Sequence, residues 1–307
     1  MQVRLLLLTI IVLTAMPLMS QNIEHSELSL PKSNITLNYR QTGDGDNTIV
    51  LIHGLGSNSK AFRKNLSALA EKAVVVAPDL PGYGATELGS FVPGMANYAK
   101  VIAEFIELKK LENVTLVGHS MGGQIAMYLA AVQQPSWLTN LVLLAPAGLE
   151  QFTEDEKQWF HTTINDRLYL NMTDVQIEQN FNLNFFGNKL PEDARFMLRD
   201  RLELKEGAER YREYVSTIVK SIHAMLAEPA YDKIPDIQVP VLVVYGKNDM
   251  LIPNKILHPQ LSLEKILKKL KEDYPNIKTE QLDRAGHFVL WDRNDAVNDF
   301  ILEEIEK

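Results

Sequence analysis

One stretch restricts the fold more than any other. Val114-Thr115-Leu116-Val117 is a short apolar run, Gly118-His119-Ser120-Met121-Gly122-Gly123 follows at once, and an apolar helical pattern begins by Gly122 and runs to Gln133. A fully apolar strand turning within a few residues into a helix is half of a strand–helix–strand unit, and such units build parallel sheets covered on both faces. The glycines show how tight the turn must be, because Gly118 and Gly122 carry no Cβ to clash across it. A serine between them is lifted to the tip of the sheet.

The rest of the chain repeats that alternation. Strands are expected at Leu37–Arg40, Thr48–Ile52, Ala73–Ala77, Leu141–Leu144, Val239–Tyr245 and Lys278–Leu282. Helices are expected at Asn58–Lys72, Tyr98–Leu111, Leu261–Glu272 and Asp295–Glu306. The pattern lapses between Gly148 and Ala230, where the chain is charged, aromatic and helical without a strong strand. The expected fold is therefore α/β: a mostly parallel central sheet with helices on both faces and an inserted helical cap. The core occupies 21–146 and 235–307, and the cap 147–234.

A serine hydroxyl needs a base and an acid to act at neutral pH. In this kind of fold they follow the serine in the order acid, then histidine. Of seven histidines, only His287, in Ala285-Gly286-His287-Phe288, lies on a loop after a late strand. Asp249 closes Tyr245-Gly246-Lys247-Asn248-Asp249 after the strongest late strand, and Glu150 is the rival acid. Asp79 precedes the serine and reads as a loop-structuring residue. His53-Gly54-Leu55-Gly56 ends an early strand; with Met121, the Leu55 backbone N–H would form an oxyanion hole. His53 itself reads as structural.

These motifs, with Asp79-Leu80-Pro81-Gly82-Tyr83-Gly84 between them, resemble the α/β-hydrolase superfamily over the chain beyond its first twenty residues. Pro146-Ala147-Gly148-Leu149 is similar to exported or membrane-associated monoacylglycerol-lipase-like members, and meta-cleavage-product hydrolases share the motif order. The His-loop tail, Val289-Leu290-Trp291-Asp292-Arg293, departs from the acid and proline of many relatives. The resemblance implies a serine hydrolase with nucleophile Ser120, base His287 and acid Asp249. Its substrate would be a carboxylic ester, lipid-like (a monoacylglycerol, for instance) or small, with an apolar acyl group, the alternative being carbon–carbon hydrolysis by the same triad. Non-catalytic binding modules on this fold usually lose triad members, whereas all three are present here. Trp159, Phe160, Tyr169, Phe181, Phe185, Phe186 and Met197, all in the cap, are candidates for an apolar substrate wall. Arg195, Arg199 and Arg201 read as solvated ion pairs with the surrounding acids.

Composition removes other classes. A net charge of −8 argues against nucleic-acid binding. The absence of cysteine excludes disulfides and thiolate chemistry. No metal-binding or phosphate-binding motif is present, so neither a metal nor an organic cofactor is expected. Arg4, the apolar run Leu5–Leu13 and Pro17 before Ser20 read as a signal peptide over residues 1–20, giving an exported protein. The alternative is an uncleaved anchor that associates the protein with a membrane, although the segment is short of the roughly 20 residues that span one comfortably.

Overall fold

The computed structural model describes residues 23–306, so the signal peptide expected over residues 1–20 lies outside the described residues. Eight strands form one sheet: β1 (Glu24–Leu30), β2 (Ile35–Thr42), β3 (Thr48–Ile52), β4 (Val74–Pro78), β5 (Val114–His119), β6 (Leu138–Leu144), β7 (Val241–Gly246) and β8 (Lys278–Leu282). Their order across the sheet is β1-β2-β4-β3-β5-β6-β7-β8. The β1–β2 and β2–β4 pairs are antiparallel, and every other pair is parallel.

The apolar runs form strands because both of their faces are buried. Val50, Ile52, Leu116, Leu141, Leu143 and Val243 enter one core cluster; Ile49, Leu51, Val117, Val142, Leu144 and Val244 enter the other. Alternation along each strand thus feeds two cores at once. The first is covered by α2 (Met95–Lys109), α3 (Met121–Val132) and α9 (Leu263–Asp273). The second lies against α1 (Arg63–Leu69), α10 (Val289–Asp292) and α11 (Asn294–Ile305).

Some boundaries differ from the sequence expectation. The single helix expected over Asn58–Lys72 is a 3₁₀ turn, Ser59–Phe62, followed by the seven-residue α1. The turn is set off by the Asn58 side chain, which accepts the Lys60 N–H. β1 was not expected. Only its last residue is buried, so its sequence carries little apolar alternation, and the strand is held by pairing with β2.

Between β6 and β7 the chain is helical: α4 (Glu154–Thr163), α5 (Asp166–Leu170), α6 (Asp174–Asn182), α7 (Arg195–Glu206) and α8 (Ala208–Ala227). Thr153 with Glu156, and Thr173 with Gln176, close reciprocal capping boxes at the starts of α4 and α6. Neither α4 nor α5 contains a buried residue.

Candidate active site

After β3 the chain passes to β4 on one side and to β5 on the other, so the topology switches direction between β3 and β5. Open α/β sheets place their sites outside the carboxyl ends of strands at such a point. Ser120 follows β5 there and has φ 55° and ψ −118°, a conformation few residues other than glycine adopt. The glycines make this bend possible by close approach. A Cβ on Gly118 would lie 2.4 Å from the Gly122 carbonyl oxygen, and one on Gly122 would lie 2.2 Å from that of Ile52.

Ser120 Oγ lies 2.9 Å from His287 Nε2, and His287 Nδ1 lies 2.8 Å from Asp249 Oδ2. The other Asp249 oxygen accepts the N–H groups of Leu251 (2.8 Å) and Ile252 (3.0 Å). That leaves Oδ2 aimed at the imidazole and assigns the Nδ1 proton to it. His287 is 4% exposed and Asp249 8%, so the pair is shielded from bulk water. The acid and histidine loops are joined by backbone bonds, Asn248 N to Ala285 O (2.9 Å) and Lys247 N to Leu282 O (3.0 Å).

The Leu55 loop is pinned from several sides. His53 Nδ1 donates to the Gly54 carbonyl (2.8 Å) while its Nε2 accepts the Leu80 N–H (3.0 Å). Burial holds the His53 pKa down, in keeping with a neutral ring that both donates and accepts. The Tyr214 hydroxyl of α8 donates to the Gly56 carbonyl (2.7 Å). Among the described residues, no backbone acceptor takes the Leu55 or Met121 N–H. Asp79 accepts from Ser59 N (2.7 Å) and Ala85 N (2.8 Å), the loop-structuring place read for it.

Glu150, the rival acid, is engaged elsewhere. It meets His258 Nδ1 at 2.5 Å and accepts the Asn254 N–H, while Glu156 meets His258 Nε2 at 2.9 Å. Burial opposes protonation of His258, but the two carboxylates outweigh it and raise its pKa. Burial raises that of Glu150.

Two supports escaped the sequence reading. His119, whose pKa burial pushes well down, donates from Nε2 to the His287 carbonyl (3.0 Å). Asp292 Oδ2 accepts both the Gly286 and the Phe186 N–H, each at 2.8 Å, tying the histidine loop to the helical insertion. Asp292 stands five residues after His287; that spacing was its only signal in the sequence.

Beside the elbow lies an apolar pocket of about 310 Å³, whose walls include Phe152, Phe160, Ile222, Met225, Leu251 and Ile252. Of the seven residues read as a substrate wall, only Phe160 lines it. Phe185 is buried against Phe288 (5.1 Å between rings). Phe181 packs on the same core, and Phe186 is 39% exposed. Trp159 stands edge-on behind Phe160 (5.3 Å), and Met197 lines a larger polar cavity. Phe185, with Phe181 on the same core, is used in docking the insertion onto the histidine loop, where aromatic burial is the ordinary outcome.

A serine–histidine–aspartate relay on a strand–turn–helix bend, at the switch point of a mostly parallel sheet, defines the class as an α/β-hydrolase fold. The chain matches the model of the alpha/beta hydrolase family over residues 49–300, and it belongs to that family. It is 25% identical over 278 residues to the uncharacterized hydrolase YugF of Bacillus subtilis, covering 85% of this chain and 91% of that one. It is 24% identical over 306 residues to a 2-hydroxy-6-oxononadienedioate/2-hydroxy-6-oxononatrienedioate hydrolase of Burkholderia vietnamiensis, covering 94% and 100%. Among solved structures, an esterase from Exiguobacterium antarcticum superposes with a TM-score of 0.74 at 20% identity, covering 92% of this chain and all of that one (100%). The protein is a hydrolase of this family.

Proposed function

We propose that the protein is a serine hydrolase of carboxylic esters with an apolar acyl group. The observation that carries the reading is the relay itself: a hydroxyl held in a strained bend 2.9 Å from an imidazole whose other nitrogen faces a carboxylate at 2.8 Å. In this mechanism Ser120 Oγ attacks the ester carbonyl and its proton passes to His287 Nε2. The oxyanion is held by the Leu55 and Met121 N–H groups, and Asp249 stabilises the imidazolium. The imidazolium then protonates the departing alcohol. Water, activated by the same imidazole, clears the acyl group from Ser120.

The acyl chain lies in the apolar pocket of Phe160, Ile222 and Met225, under a cap formed by the insertion. Wild-type protein is expected to release a burst of p-nitrophenol from p-nitrophenyl butyrate and to label with a fluorophosphonate. Ser120→Ala should lose the label and at least about 10⁴-fold in turnover. A folded wild type that neither labels nor turns over any ester overturns the reading.

The extended likeness to the Burkholderia hydrolase favours a second reading, carbon–carbon hydrolysis of a ring-fission dienone by the same triad. Turnover of such a dienone with no ester turned over would select it. Export with cleavage of the N-terminal segment is part of the proposal; an intact Met1 in mature protein, found by mass spectrometry, would overturn the cleavage and select the anchored form.

A further inference from the structure

The charged residues of α7 do not all behave as helix-surface ion pairs. Arg195 meets Glu192 (2.9 Å) and Glu178 (3.3 Å), Asp200 meets Lys60 (2.6 Å), and Lys205 meets Asp174 (2.6 Å). Arg201 has no carboxylate within ion-pair distance among the described residues. Its guanidinium instead stacks on Tyr214, 4.2 Å from the ring centre, and stands 5.3 Å from that of Tyr211. Its Nε is buried without an acceptor, and so is the hydroxyl of Tyr211, a residue only 4% exposed. Two buried donors without partners beside one cation form an arrangement a protein seldom keeps without use, because each costs more unpaired than an ordinary hydrogen bond returns.

The position of Arg201 relates it to the relay. Arg201, Tyr214 and Gly56 all line the polar cavity of about 1070 Å³. Tyr214 holds the carbonyl of Gly56, the residue next to the Leu55 amide. Acids share this cavity, but Asp79 is bonded to backbone amides, Asp200 is paired with Lys60, and Glu87, Glu203 and Glu213 are exposed. The apolar pocket lies on the other side of the serine. Its walls include Pro146, after β6, and Leu251, after β7, whereas Gly56 follows β3, and β5 with Ser120 runs between these strands. On the ester-hydrolase reading, an acyl chain seated in the apolar pocket leaves the alcohol part on the Gly56 side of Ser120, the side of the cavity that Arg201 lines.

We infer that Arg201, stacked on Tyr214 beside the Leu55 loop, recognises a carboxylate on the alcohol portion of the substrate, so that the enzyme prefers esters with an anionic leaving group. The inference rests on the ester-hydrolase reading and deepens it. A guanidinium suits the role because its planar fork matches a carboxylate, and an aromatic face keeps it oriented while it is empty.

The test compares 4-butyryloxybenzoate with its methyl ester, two substrates that share an acyl group and differ in the leaving-group charge. The ratio of their kcat/KM values in wild type should fall about tenfold or more in Arg201→Met and be partly retained in Arg201→Lys. Equal ratios in wild type and Arg201→Met overturn the inference. Because Arg201→Met could lose its fold, wild type is also titrated with 4-hydroxybenzoate in a thermal-shift assay. A rise in Tm absent with methyl 4-hydroxybenzoate supports the site, and equal shifts, or none, oppose it. Fluorophosphonate labelling of Ser120 and turnover of the neutral methyl ester report separately on the hydrolase reading, so the two failures are distinguishable.

Discussion

At the scale of single residues, the site depends on which lone pairs are already committed. Asp249 uses Oδ1 for two backbone amides and keeps Oδ2 for His287, so the ring has one tautomer open to it. Asp249→Asn preserves the shape but presents either a donor or a neutral acceptor to Nδ1. Its kcat for p-nitrophenyl butyrate should fall by about 10⁴-fold with the fold intact, measured by steady-state kinetics beside circular dichroism. A loss below tenfold would remove Asp249 from the relay. Asp292 acts one step further out, through the Gly286 amide. Asp292→Ala strands the part-buried Gly286 amide at ~1–3 kcal/mol and leaves the exposed Phe186 amide to water, and it should lower kcat more than it raises KM, because the imidazole loses its place while the pocket walls keep theirs. A pure KM effect would contradict that placement.

Elements meet at a second histidine. His258 joins the segment after Asp249 to Glu150 and to the Glu156 that caps α4. The raised pKa of His258 means that its contribution to stability is fully present below its unfolded value near 6.5. That contribution is lost as pH rises through the higher folded value. The lowered pKa of Glu156, due first to the Thr153 backbone N–H, works the other way, since its contribution is lost as pH falls below about 4.5. Lys157 and Lys255 are the cations nearby, and the Glu150 carboxyl, its pKa raised by burial, loses its own contribution as pH rises from about 4.5 through its folded value. The contribution of the His258–Glu156 pair is thus strongest between about 4.5 and the raised value of His258. His258→Gln should lower Tm at about pH 5.5 by roughly 2–4 °C, the shift for ~1 kcal/mol in a domain of this size, and by less at about pH 8. An equal difference at both pH values would show that the ring acts by packing alone. In the sequence only one half of this clasp was visible: Glu150 stood out as a possible acid, but its partner lies 108 residues downstream and no local pattern links the two.

For the whole molecule, burial is graded from the sheet outward. β3, β5 and β7 are buried at every position, whereas α4 and α5 bury no residue at all. Amide exchange followed by mass spectrometry should leave the central strands protected longest and release α4 and α5 first, since opening those helices exposes little apolar surface. Simultaneous exchange of sheet and insertion would mean that the two open as one unit.

What the amino-acid order determined by itself was whatever a short run can encode. Apolar strands announced the two-faced sheet, and the glycines around Ser120 announced the bend, because the geometry of each is set by residues next to one another. The order of Ser120, Asp249 and His287 followed from that frame. The tertiary structure alone decided which aromatics face a cavity, that Arg201 meets no carboxylate among the described residues, and that Asp292 holds the histidine loop. Those outcomes depend on contacts between segments far apart in the chain, where a side chain's partner is chosen by packing rather than by its neighbours in sequence.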